Sequence, residues 1–256
     1  MSLFRETVGA GPDVALLHGW GLHGGVFADL AHGLGGKLRV HTLDLPGHGR
    51  SPWEKGCNDL EGIARRVAGH LPERCSLLGW SLGGMVALRI ATLFPERVPR
   101  LVLVATTPRF LKHRDWPHGF DENLLAGFAR GLARDWKGTV GEFISLQVRG
   151  DEHQLETLRE LKQNLYSHGE PGRVALDAGL EILRTADLRA QLMRIKARTL
   201  VIGGAYDRLT PPGASEALAA AIAGAQVVII PRAAHAPFLS HRQIFLGLVD
   251  DFLSAP

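Results

Sequence analysis

Two rhythms of hydrophobic and polar residues divide this chain. Short runs rich in apolar residues at 14–17, 38–45, 75–78, 101–105, 199–203 and 226–230 are each closed by turn residues, and those at 14–17 and 101–105 are unbroken. Runs of that kind read as strands buried on both faces, because a half-exposed strand would alternate. Between them lie segments with apolar residues at helical spacing, at 26–34, 60–71, 85–94 and 212–223, and a last one ending near 253. Asn58 followed by Glu61 has the spacing of a capping box for the second of these. Strand and helix in alternation imply a parallel sheet with right-handed crossovers.

The rhythm changes between residues 109 and 187. Strand-like runs stop, and helical patterns succeed one another at 124–136, 140–148 and 155–166. The chain therefore divides into a core formed by 1–108 and 188–256 and a helical lid, 109–187, inserted after a sheet strand. Lys/Arg and Asp/Glu are near balance in the insertion, and Phe128, Trp136 and Phe143 either shape a pocket or hold the lid to the body.

The candidate chemistry lies just past the strands. Gly79-Trp80-Ser81-Leu82-Gly83 sets a serine between the run at 75–78 and the helix at 85–94. A strand-to-helix corner strains the serine backbone and requires neighbours without side chains two residues to either side. The same corner sets the hydroxyl at a helix start, where unpaired N–H groups and the helix dipole favour developing negative charge. Asp207 follows the run at 199–203, and His235 follows the run at 226–230. Loops beyond the carboxyl ends of parallel strands meet along one edge, so the three side chains can converge. Serine needs an imidazole to take its proton, and the imidazole needs a carboxylate to fix its tautomer. The order nucleophile, acid, base around a G-x-S-x-G elbow is that of the α/β-hydrolase fold. His41 lies inside a strand and His241 at a helix start, while Thr106 and Thr107 occupy the other loop where an acid could sit. His18-Gly19-Trp20-Gly21 is a tight turn that either aims the Trp20 N–H at an oxyanion, paired with that of Leu82, or is a plain loop with Trp20 in the core. The segment from Asp44 to Ser51 reads as a scaffold loop near the site, and His18 as a hydrogen-bonding loop residue.

Composition narrows the class. The 256 residues, 45% hydrophobic, suffice for one large α/β core with an insertion. A net charge of +3 without basic runs argues against nucleic acid as a partner. Cys57 and Cys75 are far apart, which gives no support to a disulfide framework or a thiolate metal site. The N-terminus lacks signal-peptide character, and no apolar run is long enough to span a membrane. A soluble cytoplasmic monomer is expected, with no metal and no organic cofactor.

The chain also resembles a family along its whole length. Leu16 to Leu22, Asp44-Leu45-Pro46-Gly47, Leu78 to Gly84, Gly179 to Leu183 with Asp187-Leu188-Arg189, and Ala233-Ala234-His235-Ala236-Pro237-Phe238 look like the carboxylesterases of biotin synthesis. Those enzymes hydrolyse the methyl ester of pimeloyl-acyl-carrier protein. The resemblance implies Trp20 and Leu82 as oxyanion and substrate contacts, and Phe143, Ile144, Ser145, Leu146 and Gln147 as a substrate-lining segment. It also implies a transient contact between the acidic carrier protein and basic lid residues, for which Lys137, Arg149 and Arg159 are candidates. Gly138 and Glu142 stand where further positive charge is expected, so Arg130 and Arg134 enter as substitutes. Two other readings remain at this point: a general short-chain esterase or other hydrolase of the same fold, and a non-catalytic receptor that keeps the fold.

Overall fold

The computed structural model describes residues 2–255. Seven strands form one sheet: β1 (Arg5–Val8), β2 (Asp13–Leu17), β3 (Arg39–Leu43), β4 (Ser76–Trp80), β5 (Arg100–Val104), β6 (Arg198–Gly204) and β7 (Gln226–Ile230). Their spatial order is β1-β3-β2-β4-β5-β6-β7, and every pairing is parallel except that of β1 with β3. Six of the strands coincide with the six runs; β2 to β6 are buried over most of their length, whereas β7 lies at the other edge and is only partly buried, contrary to the expectation of burial on both faces. β1, with the sequence Arg-Glu-Thr-Val, is an addition that the hydrophobic pattern did not predict. It is an edge strand and largely exposed, so nothing in its burial selects apolar residues.

Helices α1 (Ala28–Leu34), α2 (Leu60–Ala68) and α3 (Leu82–Leu93) connect the first strands. α2 is capped by Asp59, whose Oδ1 accepts the Gly62 N–H at 2.7 Å. The expected box of Asn58 and Glu61 is therefore corrected by one residue. Leu60, Ile63, Ala64 and Val67 must all face the core, which fixes the helix start at Leu60 and frees Glu61 to pair with Arg65 and Arg89.

Between β5 and β6 stand four helices, α4 (Glu122–Arg134), α5 (Trp136–Gln147), α6 (Gln154–Asn164) and α7 (Arg173–Thr185). The pattern expected to run through Trp136 is broken at Asp135, whose extended backbone ends α4 and whose carboxylate caps α5 through the Gly138 N–H at 3.0 Å. At the neck of this segment Arg109 and Asp187 form an antiparallel bridge, and the Leu188 N–H donates to the Pro108 carbonyl at 2.9 Å. Asp187 also accepts from Arg189 and Arg109, which together hold its carboxyl well below the usual range. After β6 come α8 (Pro212–Ala220), α9 (Pro237–Ser240) and α10 (Arg242–Ser254). Among the described residues, no helix is long and apolar enough to cross a membrane.

The strand order reverses direction between β2 and β4. A crevice opens at such a switch point, outside the carboxyl ends of the strands. The turn after β2 carries Trp20, and the turn after β4 carries Ser81.

Candidate active site

Ser81 has φ 55° and ψ −120°, one of three positive-φ residues other than glycine among those described. A strain of about 1–3 kcal/mol persists only where neighbours enforce it. Here the Ser81 N–H donates to Val104 O at 3.0 Å, and the Thr106 hydroxyl donates to Ser81 O at 2.7 Å. Gly79 is required because a Cβ there would lie 2.4 Å from Gly83 O. At Gly83 a Cβ would lie 2.1 Å from Leu17 O. The elbow is thus a close crossing of β4, α3 and the end of β2, tight enough to exclude any side chain at these two positions.

Asp207 is buried and caps its own loop. Its Oδ1 accepts the Leu209 and Thr210 N–H groups at 2.8 and 3.0 Å, and its Oδ2 accepts the Thr210 hydroxyl at 2.7 Å. Oδ2 also meets His235 Nδ1 at 2.7 Å. A carboxylate can only accept there, so Nδ1 carries the proton and Nε2 presents a lone pair. Nε2 is buried and makes no hydrogen bond to a described residue. The imidazole packs on Trp80, the residue before Ser81, with ring centroids 5.8 Å apart, and the Trp80 indole donates to His235 O at 2.7 Å. The three sequence-derived side chains therefore gather on one edge, with the basic nitrogen unengaged and the serine only 7% exposed.

The two candidate oxyanion donors flank this point. Neither the Trp20 nor the Leu82 N–H donates to another described residue. Leu82 opens α3, where the helix dipole adds positive potential. A Cβ at Gly19 would lie 3.2 Å from Ser81 Cβ, so the Trp20 turn runs directly past the elbow. The Trp20 indole is also core, donating to Leu176 O at 2.9 Å and meeting the Phe143 ring edge-on at 4.9 Å. His18 is a brace: its Nε2 accepts the Leu45 N–H at 2.8 Å, which leaves the proton on Nδ1, hydrogen-bonded to Gly19 O. Burial, with His48 close by, drives its pKa well below the ordinary value, so it stays neutral. The scaffold loop is tied in through Asp44, which accepts from the Gly24 and Arg50 N–H groups at 2.7 and 2.9 Å.

Of the segment expected to line the substrate, Phe143, Ile144 and Gln147 are buried, and Ser145 and Leu146 are partly buried. Ser145 donates to Gly141 O within α5, and the Gln147 carbonyl accepts the His235 N–H at 3.0 Å. The basic candidates differ among themselves. Lys137 pairs with Glu170 and lies over the rings of Trp136 and Tyr166, whereas Arg149, Arg159, Arg130 and Arg134 are exposed and form no ion pair with a described residue. Sequence reasoning missed Trp80, Thr210 and Asp151 as supports of the site. Trp80 and Asp151 each reach the His235 loop by one long-range hydrogen bond, and Thr210 holds Asp207 by its N–H and its hydroxyl, none of which a spacing announces.

A buried carboxylate–imidazole pair beside a strained serine at a helix start is suited to acyl transfer from an ester, and with this sheet it defines an α/β hydrolase. The family model described as alpha/beta hydrolase fold matches residues 12–242. A pimeloyl-[acyl-carrier protein] methyl ester esterase from Nitrosomonas europaea is 42% identical over 97% of this chain and 98% of its own length. The protein of the same name from Chromobacterium violaceum is 42% identical over 99% and 98%. The crystal structure of a hydrolase from Pseudomonas aeruginosa superposes with a TM-score of 0.81 at 31% identity, covering 99% of this chain and 94% of that one. The chain belongs to this family of α/β-hydrolase esterases and is a carboxylic ester hydrolase.

Proposed function

We propose that this enzyme hydrolyses the methyl ester of a pimeloyl group carried on acyl-carrier protein, the step that frees the terminal carboxylate in biotin synthesis. The observation that carries the substrate is the 42% identity, over nearly the whole chain, to esterases named for that reaction. The site geometry supports the mechanism. His235 Nε2 takes the Ser81 proton as Oγ attacks the ester carbonyl, and the Trp20 and Leu82 N–H groups hold the resulting oxyanion. Collapse breaks the bond to the methoxy oxygen, which leaves as methanol with the proton from His235. Water then attacks the acyl-enzyme, with His235 again taking the proton, and Ser81 is regenerated with release of the carboxylate. No step calls for a metal or organic cofactor.

Residues 109–187 act in this reading as a lid whose segment 143–147 lines the acyl chain. Arg149 and Arg159, with Lys137 less available because of Glu170, receive the acidic carrier. The test compares the carrier-bound methyl ester with a free short-chain ester, using wild type and Ser81→Ala. A preference for the carrier-bound ester, with turnover lowered at least about 10³-fold in the variant, is expected. Equal turnover of the free ester would make the enzyme a general esterase, and substantial residual turnover in Ser81→Ala would remove the nucleophile.

A further inference from the structure

The loop bearing His235 is held by the segment that joins α5 to α6. Three backbone positions are gripped in succession. The Glu152 N–H donates to Arg232 O at 3.0 Å, the Asp151 Oδ2 accepts the Ala234 N–H at 2.7 Å, and the Gln147 carbonyl accepts the N–H of His235 itself. Arg232 has φ 60°, a conformation that costs energy for a residue with a side chain, and its guanidinium is bound by Glu152 at 2.7 Å. The carbonyl of His235, on the other side of its Cα, is fixed to the elbow through Trp80. His235 is thus suspended between the helical segment and the nucleophile turn.

Within this grip Asp151 differs from its neighbours. It is 7% exposed, and its other oxygen accepts the His153 N–H at 2.8 Å, so its carboxylate is fully oriented. Ala234 is 1% exposed and the Asp151 carboxylate is the acceptor of its N–H, so loss of the carboxylate would leave a buried donor unsatisfied. The loop would have to shift to rehydrate it. Proton transfer tolerates little shift, since a misplacement of about 1 Å can cost on the order of 10²-fold in rate.

We propose that Asp151 is a positioning residue for His235: by holding the Ala234 N–H it sets the imidazole toward Ser81 and makes the turn after α5 a part of the catalytic apparatus. The inference rests on the reading of His235 as the base. A consequence is that the lid segment at 147–152 stays in place through the cycle, and substrate enters past other parts of the lid.

The test uses the full-length enzyme and two readouts, steady-state hydrolysis of a p-nitrophenyl short-chain ester and the second-order rate constant for fluorophosphonate labelling of Ser81. The labelling constant does not depend on the folded fraction, so a role limited to stability leaves it unchanged. Asp151→Ala is expected to lower kcat and the labelling constant about tenfold or more with KM within about twofold. Asp151→Asn, whose amide oxygen can accept the Ala234 N–H while its NH2 cannot accept that of His153, should recover part of both. Where the alanine variant does not fold, Asp151→Glu moves the carboxylate by one methylene and should slow labelling several-fold. Wild-type labelling in Asp151→Ala or Asp151→Glu, or an asparagine variant as slow as alanine, would overturn the proposal. His235→Ala separates the two readings: if it labels as fast as wild type the base assignment itself fails, and if it is silent while the Asp151 variants are normal only the positioning role falls.

Discussion

A single methyl group added at Gly83 would point at the carbonyls of Leu17 and His18, 2.1 and 2.5 Å away, both backbone atoms of a central strand end that cannot swing aside. Gly83→Ala should therefore cost at least about 3 kcal/mol, which for a chain of this size lowers the melting temperature by roughly 6–12 °C, measurable by circular dichroism. A melting temperature within about 2 °C of wild type would mean that the crossing is looser than described. At this scale the chemistry was legible where residue type is dictated by reaction. Ser81, Asp207 and His235, the nucleophile, acid and base of the proposed mechanism, could be singled out because each such group is wanted just past a strand. Trp80 and Asp151 could not, because each serves through one hydrogen bond to a backbone atom 155 or 83 residues away, and any tryptophan or aspartate elsewhere looks the same.

At the scale of elements, periodicity located the core helices, the central strands and α4 to α6 but misjudged several ends, and α7 was not among the patterns read. The α2 cap is Asp59 rather than Asn58, since the core-facing stripe and not the box spacing fixes where that helix begins. β1 left no mark because its exposed edge demands no apolar side chains. The helices between β5 and β6 carry charge that is unevenly available. Arg149 and Arg159 form no ion pair with a described residue, while Lys137 is engaged with Glu170. Arg149→Glu combined with Arg159→Glu should raise KM for the carrier-bound ester about tenfold at low salt and leave the free ester unchanged, with Lys137→Glu weaker. Equal effects on both esters would assign these arginines to the packing of the helices between β5 and β6.

For the molecule as a whole, the cluster of buried histidines beneath the Asp44 loop sets a limit on acid stability. Burial pushes the His48 pKa down to about 4, and lowers those of His18 and His23 in the same sense. In the unfolded chain each titrates near 6.5, so the unfolded state binds more protons as pH falls. The stability these neutral imidazoles allow is present above about pH 6.5 and is lost as pH falls toward 4, with about 3 kcal/mol from His48 alone. Thermal unfolding followed between pH 7.5 and 4.5 should show that decline, shallower in His48→Gln; a flat profile would mean that the histidines are hydrated in the folded state. Strand order belongs to this scale too. Alternation implied a parallel sheet, but the reversal between β2 and β4 follows from how the crossovers stack, which no local pattern encodes.

The antiparallel bridge of Arg109 with Asp187 brings the two ends of a long excursion to within one peptide pairing of each other, pinned further by the Leu188-to-Pro108 hydrogen bond. With its ends so joined, the excursion behaves as a closed loop, whose entropy grows only logarithmically with length. Changing the length of residues 110–186 thus adds little closure cost, provided that the contacts at 147–152 with the His235 loop and at Leu176 with Trp20 are kept. One sheet can accordingly carry roofs of different length, so long as the segment that holds the His235 loop is retained.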